Sequence, residues 1–179
     1  MLTQLAQEVL VQQMSKLLAL DQASNTTGWA IFDDNKLMAY GHFVTTQTDL
    51  GEKLYEIRNF VQEWVKKYDI DEVIFEDVQL QDNVGNNVKT FKILAEVFGV
   101  IDEVLTELSI PHSAVLAPVW KSKVGIKGRY RSEQKKNAQR YVNNLYNISA
   151  TSDESDAICI GIYKTQLNAP QHLDHDWSD

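Results

Sequence analysis

Residues 16–33 read KLLALDQASNTTGWAIFD. The apolar run 16–20 has the length of a strand and stops at Asp21; a polar stretch follows, and a second apolar run covers 28–33. Short apolar runs bounded by turn residues read as strands. The polar turn Asp33–Asp34–Asn35 then leads into a third such run, 37–45. Asp21 therefore stands at the end of an apolar strand, where open α/β sheets present functional groups. Its competing role is structural, capping a turn with Ser24 and Asn25.

Beyond these strands the period changes. Leu50, Leu54, Ile57, Val61, Trp64, Val65 and Tyr68 recur at three- and four-residue steps, the mark of an amphipathic helix. Residues 73–75 form a compact apolar strand ending at Glu76, and a polar loop with Gly85 and paired asparagines follows. A helix over 88–108 carries two apolar stripes. One is Phe91, Leu94, Ala95, Phe98, Ile101, Leu105 and Leu108; the other is Ile93, Val97, Val100 and Val104. A surface helix needs only one stripe, so this pattern predicts burial on two sides: one against the sheet, the other against a second subunit or elsewhere in the domain. Residues 112–116 read as a strand, and a basic segment leads into a helix over 132–145. The last helix begins near Thr151, where Thr151 and Glu154 have the spacing of a capping box. Three strands, a helix, then strand–helix–strand–helix–helix is the order of an α/β domain with a mixed sheet. Residues 1–13, ahead of a second methionine, Met14, are set apart as an N-terminal extension; 14–168 form the domain and 169–179 an acidic tail.

Charge is distributed unevenly. The chain carries a net −8, yet between Trp120 and Tyr141 lie Lys121, Lys123, Lys127, Arg129, Arg131, Lys135, Lys136 and Arg140 against one acid, Glu133. That window is +7, so the remainder is −15. A basic window on an acidic protein can bind phosphates locally while the rest of the surface repels them; the plainer alternative is a solvated helix face. No apolar stretch approaches the roughly 20 residues that span a bilayer, and nothing resembles a cleaved signal peptide, which places the protein in the cytoplasm and away from membranes. The lone Cys159, in the apolar run 157–162, reads as a buried helix thiol. His42 and His112 lie in strand-like contexts and read as structural, and His172 and His175 belong to the acidic tail. There is no Gly-rich nucleotide loop, nucleophile elbow or cysteine–histidine zinc spacing.

Four acids occupy telling places: Asp21 and Glu76 at strand ends, Asp153 and Asp156 three residues apart on one face near the start of the last helix. If the two strands are neighbours and the helix crosses their ends, four carboxylates converge. Two like charges ~4 Å apart repel by ~4 kcal/mol even at an effective dielectric of about 20, so such a cluster calls for a cation. Hard oxygen ligands are what Mg²⁺ or Mn²⁺ prefers. Two such ions about 3.5–4 Å apart can clamp the attacking and leaving oxygens of a phosphodiester during in-line attack by an activated water. Asp153 also suits a helix N-terminus on its own account. Asp77 and Glu154 are left out of the cluster, because the first points to the opposite strand face and the second serves the cap.

These residues resemble a known family. LALDQASNTTGWAIFD, VIFEDV and SDESDAICIGI are similar, in that order and at similar intervals over roughly 16–165, to the three acidic motifs of RuvC-type Holliday-junction resolvases. APVWKSKVGIKG resembles the family's basic region. The nearest likeness is to the phage-encoded branch. The resemblance implies an RNase H-like fold, a mixed five-stranded sheet flanked by helices. Asp21, Glu76, Asp153 and Asp156 then match the metal-binding catalytic acids, with two Mg²⁺ per site and Mn²⁺ as substitute. Lys121, and Lys135 or Lys136, match lysines that bind phosphate, with Lys123, Lys127, Arg129 and Arg131 beside them. It implies a homodimer acting on branched DNA, and cuts that leave 5′-phosphate and 3′-hydroxyl ends.

Two departures stand out. The family often has Asp-Pro-Gly after its first aspartate, where this chain has Asp21–Gln22–Ala23–Ser24. Gln79 stands where bacterial relatives place an aromatic that wedges into the junction. Base–aromatic stacking is worth about 1–3 kcal/mol, and glutamine cannot supply it, so relaxed sequence preference is expected. The rivals are a junction-binding module without catalysis, a related nuclease acting on RNA, and a sugar-kinase-like ATPase suggested by Asp21, Ser24, Thr27 and Gly28. The last normally pairs two such domains, and 179 residues hold one.

Overall fold

In the computed structural model residues 15–79 and 87–168 are described. The extension 1–13 and the tail 169–179 lie outside them, as does most of the loop after Gln79. The opening stretch forms β1 (Lys16–Asp21), β2 (Thr26–Asp33) and β3 (Lys36–Val44), each antiparallel to the next. The β2–β3 turn is a two-residue connection, with Asp33 opposite Lys36 and positive φ at Asp34 (46°) and Asn35 (66°). That backbone matches the twist of the flanking strands and favours Asn and Asp.

Helix α1 (Leu50–Tyr68) follows, started by the Asp49 side chain, which accepts from the Glu52 N–H. Strand β4 (Glu72–Glu76) then lies parallel to β1, and β5 (His112–Val115) parallel to β4, with α2 (Asn87–Glu107) as the crossover. The sheet order is β3-β2-β1-β4-β5. Three short helices close the domain: α3 (Ala117–Val124), α4 (Arg131–Tyr146) and α5 (Ser152–Asn168). Part of the basic segment, for which no helix was expected, is helix α3. Pro118 at its start and Gly125 past its end (φ 87°) are ordinary helix punctuation.

The period of two along each strand divides the core. Leu18, Leu20, Ile31, Val73 and Phe75 pack against α1 and α2; Leu17, Ala19, Ala30, Phe32 and Ile74 pack against α3, α4 and α5. Within this chain α2 is buried on one side. Its buried residues, Val97, Ile101, Val104 and Leu105, come from both predicted stripes but form one face, while Ile93 and Val100 are half-exposed. Positions i, i+4, i+7 and i+8 are adjacent at 3.6 residues per turn, so two neighbouring stripes merge into a single wide one. Cys159 is buried in α5 and unpaired, and burial pushes its thiol far up. No helix among the described residues is long and apolar enough to cross a membrane.

Candidate active site

Strand parity decides where two of the acids point. Asp21 continues the series Leu17, Ala19 along β1, and Glu76 continues Glu72, Ile74 along β4. Both therefore emerge on the face covered by α5, at the same end of adjacent parallel strands, since Leu20 pairs with Phe75. Asp77, expected to point away, also lines the cavity holding these acids; its backbone N–H donates to Val115 O at 2.8 Å, and its Oδ1 accepts from the Val78 N–H at 2.7 Å.

The other two acids arrive with α5, whose start is fastened in three ways. Thr151 and Glu154 form the predicted capping box: Glu154 Oε2 accepts from the Thr151 N–H at 2.7 Å, and Thr151 Oγ1 from the Glu154 N–H at 3.4 Å. His42 Nδ1 on β3 reaches Glu154 Oε1 at 2.7 Å. Burial alone would raise the Glu154 carboxyl, but the Thr151 and His42 partners hold it below the usual range. Third, α5 sits directly on β2. A Cβ at Gly28 would stand 2.0 Å from the Asp153 carbonyl oxygen, and one at Gly161 would stand 2.1 Å from the Phe32 ring. Only glycine admits so close an approach.

Asp21, Glu76 and Asp156 line one cavity of about 650 Å³. Asp153, at the start of α5, is turned toward Lys135 of α4, whose Nζ is 3.1 Å from Asp153 Oδ1 and 4.0 Å from Asp156 Oδ2. The expected convergence is thus met in part. Among the described residues no three His, Cys, Asp or Glu side chains are arranged to hold an ion as they stand. Lost solvation, followed by the charges of Asp156 and Glu76, raises the Asp21 carboxyl well above the carboxylate range. Burial also lifts Asp156, to about 6, against the downward pull of Lys135 and Lys121. Asp156 Oδ1 is buried without a hydrogen-bond partner. An orphaned carboxylate oxygen beside two further acids is the donor set a hard divalent cation satisfies, so these residues fit such an ion.

The basic window divides. Lys121, Lys127, Arg131 and Lys135 line the same cavity as the acids, and exposed Gln79 borders it. Lys123, Arg129 and Lys136 are exposed away from it; Arg129 lies over the Tyr130 ring at 5.5 Å. Two residues that the sequence left unmarked also touch Glu76. The Gln22 side chain binds its backbone, and the Trp120 indole N–H donates to its Oε2 at 2.9 Å. The only signal for Gln22 was its departure from the Asp-Pro-Gly pattern. His112 is structural as expected, with Nδ1 2.7 Å from Ile110 O and Nε2 3.1 Å from Asp102.

Known proteins resemble this chain over most of its length. Residues 17–164 match the family described as crossover junction endodeoxyribonuclease RuvC. The protein of that name from Ehrlichia chaffeensis is 26% identical over 153 residues, covering 82% of this chain and 94% of the relative. Its counterpart from Ehrlichia ruminantium is 26% identical over 156 residues, covering 82% and 93%. Among solved structures, T. thermophilus RuvC in complex with Holliday junction substrate superposes with a TM-score of 0.65 at 15% identity, over 86% of this chain and 95% of that one. The yeast mitochondrial Holliday junction resolvase superposes with a TM-score of 0.54 at 11% identity, over 92% and 85%. At such identities the structural likeness speaks for the fold, and it bears out the RNase H-like mixed sheet.

Proposed function

The chain belongs to the RuvC family of crossover junction endodeoxyribonucleases, and we propose on that premise that it cuts four-way DNA junctions at the cavity holding Asp21, Glu76 and Asp156. The observation that carries this reading is that carboxylates and cations line one and the same cavity. Carboxylates stand on the strand ends and α5, and Lys121, Lys127, Arg131 and Lys135 stand on or beside α3 and α4. Those cations receive the phosphate of a strand crossing the cavity and offset charge that builds on it during displacement. Asp21, Glu76, Asp156 and Asp153 would hold the divalent cations, with Lys135 as their competitor for the two α5 acids. Two such ions, Mg²⁺ with Mn²⁺ as substitute, would supply water activation and charge compensation when bound. Water adds to phosphorus and the bond to the 3′ oxygen breaks, leaving 3′-hydroxyl and 5′-phosphate ends.

A homodimer fits a four-way junction, because a two-fold axis gives one site for each of two equivalent strands. Exposed Val88 and the half-exposed Phe91 and Phe98 on α2 offer apolar surface for the second copy. With Gln79 at the cavity rim, and no aromatic among the described residues that line the cavity, cutting is broad among branched DNAs and weakly dependent on sequence.

The test is cleavage of a labelled synthetic four-way junction with Mg²⁺, beside linear duplex, a three-way fork and RNA, with Asp156→Asn as control. Paired symmetric nicks on the junction, absent from the control, are expected. Preferential cutting of RNA, or binding without cleavage, would overturn the reading.

A further inference from the structure

Glu76 is gripped from two directions by side chains that carry no charge. Leu20 with Phe75 is the last β1–β4 pair, after which β1 turns away toward β2. Without a neighbour, the Glu76 peptide would present an unpaired N–H and C=O toward β1. The buried Gln22 side chain fills that gap. Its Oε1 accepts from the Glu76 N–H at 3.1 Å, and its Nε2 donates to the Glu76 carbonyl at 2.5 Å. A primary amide carries the same donor and acceptor as a peptide group, so Gln22 extends the parallel ladder by one rung with a side chain. The proline that often follows the family's first aspartate has no side-chain amide to do this.

From the other side comes Trp120 of α3, fully buried in the core. Its single donor, Nε1–H, is spent on Glu76 Oε2 at 2.9 Å. Bulk alone does not require a polar atom in this core, and the one that the indole brings is directed at Glu76. Among the described residues Glu76 Oε1 has no hydrogen-bond partner, and Glu76 lines the cavity.

We infer that Gln22 and Trp120 are positioning residues for Glu76. Gln22 sets where the residue leaves the sheet, and Trp120 occupies Oε2, so that Glu76 offers a divalent cation one oxygen, Oε1. This rests on the reading of Glu76 as a metal ligand. Partners of this kind orient a ligand and restrict its motion, and losing one typically costs about 10–100-fold in metal affinity or activity.

The experiment uses the full chain, unmodified and as Trp120→Phe and Gln22→Met. Mn²⁺ alone is titrated by calorimetry at a temperature where near-ultraviolet circular dichroism shows every variant folded. Junction cleavage is measured in parallel. Each substitution is expected to weaken Mn²⁺ binding about 10-fold and to lower kcat with KM for the junction unchanged. Gln22→Met keeps the Trp120 core intact, so it carries the test if Trp120→Phe does not fold. Wild-type Mn²⁺ affinity in both variants, with only the melting temperature lowered, would make the two residues core and nothing more. Unchanged or tighter Mn²⁺ binding in Trp120→Phe would overturn the indole's part. If the unmodified protein takes up no Mn²⁺, the reading of Glu76 as a ligand fails and the inference with it; if it binds and both variants match it, only the inference fails.

Discussion

The two faces of the sheet are built to different specifications from the same strands. Toward α1 and α2 the strands present large side chains, Leu18, Leu20, Ile31 and Phe75, backed by Trp29, Phe43, Phe60 and Trp64. Phe43 and Phe60 stack at 4.6 Å, and Trp29 meets Trp64 edge-on at 5.5 Å. Toward α5 the middle of the sheet is small, with Ala19, Gly28 and Ala30, and α5 brings Ala157 and Gly161, with Gly28 against the Asp153 backbone and Gly161 against the Phe32 ring. The first face keeps its helices at a distance and supplies apolar burial. The second lets a helix descend until its backbone touches β2, which carries Asp156 to the cavity that holds the strand-end acids. Bulk stabilises on one side; its absence assembles the site on the other.

Substitutions on the two faces should therefore fail differently. The largest effect belongs to Asp21→Asn, which leaves the fold intact. Single-turnover junction cleavage should fall by more than the roughly 100-fold that losing an outer partner of a metal ligand costs, while metal-free junction binding persists. Retained cleavage would remove Asp21 from the site. On the opposite face, Phe60→Ala should cost about 3–5 kcal/mol in urea unfolding yet leave kcat unaltered in the folded protein at low temperature. A selective loss of kcat there would show that the faces are not separable. Gly28→Ala should damage both properties. Overpacking costs about 1–3 kcal/mol, and misplacing reacting groups by 1 Å can cost 100-fold in rate, read as cleavage alongside the thermal melt. Wild-type values for both would mean that α5 tolerates lifting.

The smallest effect is one of pH. Burial pushes the Asp156 carboxyl up to about 6 in the folded protein, from an ordinary 3.8. The folded state therefore keeps a proton that the unfolded chain has released. That stabilisation is complete below the unfolded value and is lost as pH rises through about 6. Without metal, Asp156→Asn should be more stable than the unmodified protein at neutral pH, by on the order of 1–3 kcal/mol. The advantage should shrink as pH approaches the unfolded value. A gap of constant size in denaturant melts across that range would show that Asp156 carries no such penalty.

Much of this was legible from local pattern. Alternation and turn residues mark β1 to β3, and the three-four spacing marks α1, because both signals lie within a few neighbouring residues. Asp21 and Glu76 were found because each ends an apolar run, and the capping box of Thr151 and Glu154 was found by its spacing. Within the chain only one side of α2 is buried, through Val97, Ile101, Val104 and Leu105. Helix α3 was missed because only Trp120 and Val124 of its eight residues are buried, too few to impose a period.

By itself the sequence determined the five strands, the helices other than α3, and which face of β1 and β4 Asp21 and Glu76 occupy, because a period of two fixes parity once a strand is recognised. Tertiary structure alone decided the rest. It selected Lys121, Lys127, Arg131 and Lys135 from the basic window, turned Asp153 toward Lys135, and brought Gln22 and Trp120 to Glu76 across 54 and 44 residues. The physical reason is range. Backbone periodicity propagates along the chain, whereas a side chain's partner depends on how closely separate elements pack, and here two glycines and a capped helix set that distance.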